Sequence, residues 1–278
     1  SMPAVEVLLK LSELFGVSVN ELMADDLTLE RISKDAFIKK DVTFYSEDKE
    51  LYPRWAANIR EYHWIEKNWT DYKENRFVAE FIRNLSPGNR LVLELGVGPG
   101  GGYMPSFVKY ARESKVIISD ISPSVVREWK KLLHDRMQYS NVYFTVLNHC
   151  ELPFVDECID IVSDGGGIIN TIEGPRKAAI SEAYRVLKKG GILVTGIGYI
   201  SKDEEKRLPS ELKDRIRKEY PDFLDTMYDD LASVGFSRIE SNITGGWDTD
   251  DDESAIADVA RLYGVNIHFT ASMRICTK

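Results

Sequence analysis

Cysteine is scarce in this chain of 278 residues: Cys150, Cys158 and Cys276 make an odd count without C-x-x-C spacing. That excludes a disulfide framework and a cysteine zinc site, so reduced thiols are expected. Long hydrophobic runs are missing as well. The richest apolar stretch, Gly190 to Ile200, falls far short of the ~20 residues that a membrane span needs. The opening Ser1-Met2-Pro3 has neither a basic n-region nor an apolar h-region, which predicts no secretory signal and a cytoplasmic location. Positive charge is also short: 36 Lys and Arg face 45 Asp and Glu, the net charge is -9, and no long basic block occurs. Such a surface repels phosphate backbones and disfavours nucleic acid as a substrate. The acidic run Asp248 to Glu253 lacks the spacing of a calcium loop and reads as a solvated turn, so no metal site is expected.

What is present suits a globular protein: 43% hydrophobic and 29% charged residues, enough chain for one large domain and an appendage. Between Val5 and Met23 apolar residues recur at helical spacing, with a break at Gly16 and Ser18 placed as a cap. Residues 1–26 therefore read as a helical pair. Residues 27–85 read as a linker followed by one or two helices rich in Trp, Tyr and Glu, ending at the turn Ser86-Pro87-Gly88. From there to residue 278 short apolar strands alternate with helical stretches, the pattern of an α/β domain with helices on both faces of a parallel sheet.

The strands are expected at Arg90 to Leu95, Lys115 to Ser119, Val142 to Leu147, Ile159 to Asp164 and Gly191 to Gly196. Helices are expected at Gly101 to Arg112, Pro123 to Met137, Pro175 to Leu187 and Glu211 to Val234, with closing strands at Ser237 to Ile243 and Asn266 to Cys276.

The first strand runs into Gly96-Val97-Gly98-Pro99-Gly100, a turn whose missing side chains let backbone N–H groups approach a ligand. Gly96, Gly98 and Gly101 also fit the dinucleotide fingerprint, and Asp120 ends the second strand about 20 residues on, as in NAD-binding proteins. Either ligand would place Asp120 on ribose hydroxyls.

Three phrases separate the alternatives. Glu94 creates E-L-G-V-G-P-G; Asn148 to Phe154 reads N-H-C-E-L-P-F; Glu182 to Gly191 reads E-A-Y-R-V-L-K-K-G-G. In this order they resemble motifs of the class I S-adenosylmethionine-dependent methyltransferases. The resemblance implies a Rossmann-like seven-stranded, mostly parallel sheet with an N-terminal helical extension, and S-adenosyl-L-methionine as cofactor. It assigns Glu94 to the methionine amino group, Gly96, Gly98 and Gly100 to the cradle beneath the cofactor, and Asp120 with Ile121 to the ribose side. Asn148, His149 and Cys150 fall on the adenine side, and Asp164 at the loop after strand four. Asn148 stands where the family has Asp, and Lys189 replaces a proline. The aromatic segment with Tyr62, His63, Trp64, Trp69 and Tyr72 resembles the family's lid, although plain packing explains each aromatic too. His63, His149 and Asp164 are the candidates for proton transfer.

Transfer is expected as in-line displacement, which asks the protein for positioning and exclusion of water. Asp164-Gly165-Gly166-Gly167 follows strand four where DNA amino-methylating enzymes have NPPY or DPPY, and no Pro-Cys nucleophile occurs. A small-molecule acceptor is thus expected, with the glycine triplet leaving room beside the methyl group.

Val5 to Met23 resembles the last two helices of a lambda-repressor-like helix-turn-helix domain. DNA becomes a partner if a recognition helix precedes Ser1 in a longer protein. The alternative function is then a transcription regulator whose methyltransferase-like domain senses a ligand without turnover. No oligomeric state follows from the sequence.

Overall fold

Buried on both faces, the strand β1 (Leu91–Leu95) lies at the middle of a sheet because its run LVLEL leaves no side for water. In the computed structural model, which describes residues 62–85, 88–168, 175–252 and 254–278, β1 is flanked by two parallel strands, β2 (Lys115–Asp120) and β4 (Ile159–Asp164). β3 (Val142–Val146) pairs outside β2, and β5 (Leu187–Ile200) pairs with β4, both parallel. β7 (His268–Thr277) runs antiparallel between β5 and β6 (Arg238–Asp248). The order β3-β2-β1-β4-β5-β7-β6 is the Rossmann-like seven-stranded, mostly parallel sheet expected from the alternating pattern. The helical pair predicted for residues 1–26 and the linker after it lie outside the described residues.

Side chains alternate across a strand, so the sheet builds two cores. On one face Val92, Val116 and Ile118 pack with residues of α1 (Tyr62–Thr70), α2 (Arg76–Asn84), α3 (Met104–Tyr110) and α4 (Pro123–Lys130), among them Ile65, Ile82, Phe107 and Trp129. On the other face Leu93, Leu95, Ile117 and Val162 meet Ile180 and Ala183 of α5 (Arg176–Val186) and Leu231 of α8 (Met227–Val234). A third cluster joins α7 (Ser210–Glu219) and α9 (Ala255–Leu262) to Phe269 of β7. No helix among the described residues is long and apolar enough to cross a membrane.

Local chemistry sets the helix starts. Asn75 accepts hydrogen bonds from the Phe77 and Val78 amides to cap α2, and Ser122 accepts from Val125 ahead of Pro123 to cap α4.

Three expectations are corrected. The single helix foreseen over Glu211 to Val234 is divided: α7 stops at Glu219, Pro221–Phe223 forms a 3-10 turn, and α8 begins at Met227. Pro221 lacks the N–H that would continue the helix. The helix foreseen over Pro123 to Met137 widens into a π-helix at Lys131–Arg136. α9 and α6 (Lys202–Arg207) were not foreseen; Ser254 and Ser201 cap them, accepting from the Ala257 and Glu204 amides. The acidic run forms a 3-10 turn over Thr249–Asp251.

Candidate functional site

β1 carries Glu94 with no exposed surface, an unusual place for a carboxylate. Its Oε1 accepts the Tyr103 amide at 3.0 Å, whereas Oε2 is buried and reaches no hydrogen-bond partner. Ser163, its register neighbour on β4, is also fully buried, and its hydroxyl reaches no partner in hydrogen-bonding geometry. Burial pushes the Glu94 carboxyl up to about 8, and the nearby Asp164 adds to this, while Ser163 and the Tyr103 amide oppose it.

The segment after β1 turns tightly over this carboxylate. Gly102 adopts φ +52, and a Cβ there would overlap Glu94 Oε1, so the position accepts no side chain. The turn is held from three sides. Gly98 donates its amide to Asp120 Oδ2 at 2.8 Å, and its carbonyl accepts from the Trp129 indole at 2.8 Å. From α1, Asn68 donates to the Pro99 carbonyl at 2.8 Å. The other Asp120 oxygen accepts from the Ser122 amide at 2.9 Å. Asp120 thus ties the end of β2 to the glycine turn, and the half-buried Ile121 follows it. Gly100 is exposed, and a Cβ there would meet open space.

On the far side of β2, Asn148 Oδ1 accepts from the Cys150 amide at 2.8 Å, which shapes a turn with half-buried His149 at its centre. The following Leu-Pro-Phe phrase is gripped by α5. Glu182 accepts the Leu152 amide at 2.7 Å, and Arg185 donates to the Leu152 and Phe154 carbonyls at 2.9 and 2.7 Å. Two phrases recognised separately in the sequence are therefore one hydrogen-bonded unit.

Asp164, at the end of β4, is fully buried and spends both oxygens on its own surroundings. Oδ1 accepts from the Ile168 and Gly166 amides at 3.0 and 3.3 Å, and Oδ2 accepts from the Thr195 hydroxyl at 2.7 Å. Burial raises its carboxyl to about 6 against the pull of those donors. Its role in this structure is to cap the loop after β4. That loop packs onto the glycine turn: a Cβ on Gly165 would overlap Gly102 Cα, and one on Gly167 would lie 3.0 Å from Gly96 Cα. Gly165 and Gly167 thus permit backbone to meet backbone, whereas a Cβ on Gly166 would meet open space.

Of the aromatics expected to form a lid, Trp69 is buried edge-on against Trp129 with ring centroids 6.3 Å apart, and Tyr72 shares a 3.2 Å hydrogen bond with Ser106. Packing is what both do. The side chains of Tyr62, His63 and Trp64 lie outside the described residues. Sequence reasoning missed Trp129, Tyr103, Ser163 and Trp247. Tyr103 sets its hydroxyl against Gly196, and Trp247 brings its six-membered ring against Gly198 and stacks on Phe269 with centroids 5.1 Å apart. Glycines at alternate positions of β5 were the available signal. No cluster of three or more His, Cys, Asp or Glu that could hold a metal occurs among the described residues.

A buried half-paired carboxylate beneath a glycine turn, with a second carboxylate at the end of the next strand, narrows the choice of family. Residues 92–191 match the family described as Methyltransferase domain, from β1 to the start of β5. Over 113 residues the chain is 31% identical to the ubiquinone/menaquinone biosynthesis C-methyltransferase UbiE of Hydrogenovibrio crunogenus, a match covering 41% of this chain and 43% of that protein. The chain therefore spans less than half of that relative. Among solved structures, phosphoethanolamine N-methyltransferase 2 of Haemonchus contortus, in complex with S-adenosyl-L-methionine, aligns with TM-score 0.57 at 17% identity, covering 86% of this chain and 60% of that one. An arsenic(III) S-adenosylmethionine methyltransferase of Chlamydomonas reinhardtii aligns with TM-score 0.50 at 18% identity, covering 76% of this chain and 72% of that one. At such identities the likeness is one of fold.

Proposed function

We propose that this protein is an S-adenosylmethionine-dependent methyltransferase acting on a small-molecule acceptor. The observation that carries the reading is Glu94 Oε2, a buried carboxylate oxygen without a partner. A dry, half-paired carboxylate calls for a cation, and the α-ammonium of the cofactor's methionine is such a group. The glycine turn supplies a floor that side chains would fill. Asp120, at 9% exposure, is the acceptor for ribose hydroxyls, and the turn at Asn148 to Cys150 faces the adenine side. The residues fit the group.

Bound S-adenosylmethionine supplies a methyl group made electrophilic by its sulfonium. The chain's own work is positional: Glu94 holds the ammonium, Asp120 and Trp129 fix the turn, and the lid helix α1 closes over it through Asn68. The named relatives act on carbon in quinone biosynthesis, on phosphoethanolamine nitrogen and on arsenic. One fold thus serves unlike acceptors, which moves acceptor choice to residues beyond the matched 92–191 segment.

The test is isothermal titration of the full chain with S-adenosylmethionine and S-adenosylhomocysteine. Wild type should bind both, and Glu94→Gln should weaken both by roughly tenfold or more, as expected for a lost charge-assisted contact. Absence of heat from either ligand with the wild-type protein would sink the reading.

A further inference from the structure

Arg274 on β7 is 3% exposed, and two of its nitrogens have nothing to bond. Nη2 donates to Asp225 Oδ1 at 3.0 Å, and the guanidinium carbon lies 5.6 Å from the centroid of the Tyr199 ring, but Nε and Nη1 are buried without a partner. Ser272, two residues away on the same face of β7, is 2% exposed, and its hydroxyl is likewise unpartnered. Buried unpaired donors on a charged group are costly and uncommon in native folds.

Arg176 shows what a structural buried arginine looks like in this same protein. At 4% exposure it donates from Nε to Asp230, from Nη1 to the Asp222 carbonyl and from Nη2 to the Thr226 hydroxyl, so every nitrogen is engaged. Arg274 is incomplete by comparison, with Nε and Nη1 both open.

The register gives the location. Arg274 is paired with Thr195, whose hydroxyl donates to Asp164 at the last position of β4. Ser272 is paired with Ile197, on the part of β5 that continues past the end of β4. Both therefore stand level with the loop after β4, at the carboxyl ends of the parallel strands, where α/β sheets take their ligands. A second wall is the segment through Leu224, bridged to Ile200 and tied down by Asp225 to Arg274 and by Thr226 to Arg176.

We propose that Arg274 and Ser272 form the acceptor-anchoring subsite and that the acceptor carries an oxyanion, a carboxylate or phosphate, next to an aromatic or apolar body that lies along Tyr199. The proposal rests on the methyltransferase reading and deepens it. An oxyanion would complete one of the two open guanidinium donors together with the Ser272 hydroxyl, and a guanidinium suits it because its donors are planar and always charged. The subsite adds a local positive group to a chain of net charge -9, so it selects by contact rather than by long-range attraction.

The experiment titrates the full chain with benzoate, inorganic phosphate and the neutral benzyl alcohol, with and without S-adenosylhomocysteine, following thermal shift and binding heat. Benzoate or phosphate should bind and stabilise the protein, with benzoate ahead if the anion is a carboxylate and phosphate ahead if it is a phosphate, whereas benzyl alcohol should not. Ser272→Ala should weaken anion binding roughly threefold, and the paired change Arg274→Met with Asp225→Asn, which leaves no orphaned charge, should weaken it roughly tenfold or more. Affinity for S-adenosylhomocysteine should stay at the wild-type value in both. Anion binding that is absent from wild type, equalled by benzyl alcohol, or unchanged in both variants overturns the subsite. Loss of S-adenosylhomocysteine binding by wild type overturns the methyltransferase reading instead, and the anion titration without it still reads Arg274.

Discussion

The Trp129 indole donates to the Gly98 carbonyl at 2.8 Å, so the residue beneath the glycine turn is a hydrogen-bonding aromatic rather than a plain hydrophobe. The same ring would be in contact with a Cβ at Gly101, and it packs edge-on against Trp69 of α1. One fully buried side chain thus joins the turn to α1. Trp129→Phe keeps an aromatic and removes the donor, leaving a buried carbonyl unpaired at a cost of about 1–3 kcal/mol. The expected outcome is a lower Tm with weaker binding of S-adenosylhomocysteine. A variant with unchanged Tm and unchanged affinity would show that the hydrogen bond does not hold the turn.

Which parts were legible in the sequence follows from distance along the chain. Glu94, the glycines after it and Asp120 form a local pattern of strand, turn, helix and strand, and a reader can place them from spacing alone. Trp129 meets Gly98 across 31 residues and Arg274 meets Asp225 across 49. Nothing local marks either partner, because it is the sheet that brings them together. The divided helix after β5 was readable, since Pro221 is a breaker, but the apolar spacing on both sides of it suggested one helix. The glycine triplet was recognised for its missing side chains, whereas what fills the space, the backbone at Gly102 and Gly96, is set by tertiary packing.

Glu94 makes stability and binding depend on pH in opposite directions. Its carboxyl is raised from an ordinary 4.5 to about 8 by burial, so between these values the folded chain holds a proton that the unfolded chain releases. Stability present below pH 4.5 is therefore lost progressively as pH rises toward 8, and Asp164, raised from 3.8 to about 6, adds the same trend at lower pH. Glu94→Gln should flatten the upper part of a Tm-against-pH curve. A bound ammonium favours the carboxylate, so cofactor binding near pH 7 should release a proton. Titration in buffers of different ionisation enthalpy measures that proton, and its absence in wild type would remove the ammonium from Glu94.

Asp120 separates two roles by substitution. Its Oδ2 accepts the Gly98 amide and its Oδ1 the Ser122 amide, so Asp120→Ala removes both ties and should lower Tm as well as cofactor affinity. Asp120→Asn keeps one acceptor oxygen and should lose less of each. A lost carboxylate contact to ribose is worth roughly ten- to a hundredfold in affinity. Equal affinity for S-adenosylhomocysteine in wild type and Asp120→Ala would assign the residue to the turn alone.

Gly165 and Gly166 are adjacent, and the same change should lower stability at both but cofactor affinity at Gly165 alone. A Cβ on Gly165 would overlap Gly102 Cα, and neither backbone can yield without moving the loop after β4 or the turn over Glu94. Gly165→Ala should therefore destabilise by about 1–3 kcal/mol, as overpacking does, and should weaken cofactor binding because Gly102 borders Glu94. At Gly166 a Cβ would meet nothing within 4 Å, although φ is +129, so Gly166→Ala incurs backbone strain of about 1–3 kcal/mol without a clash. Its Tm should fall while affinity for S-adenosylhomocysteine holds. Comparing the two variants by thermal melting and titration separates contact from strain, and equal loss of affinity in both would mean that the loop's conformation, rather than the Gly165 to Gly102 approach, governs the site.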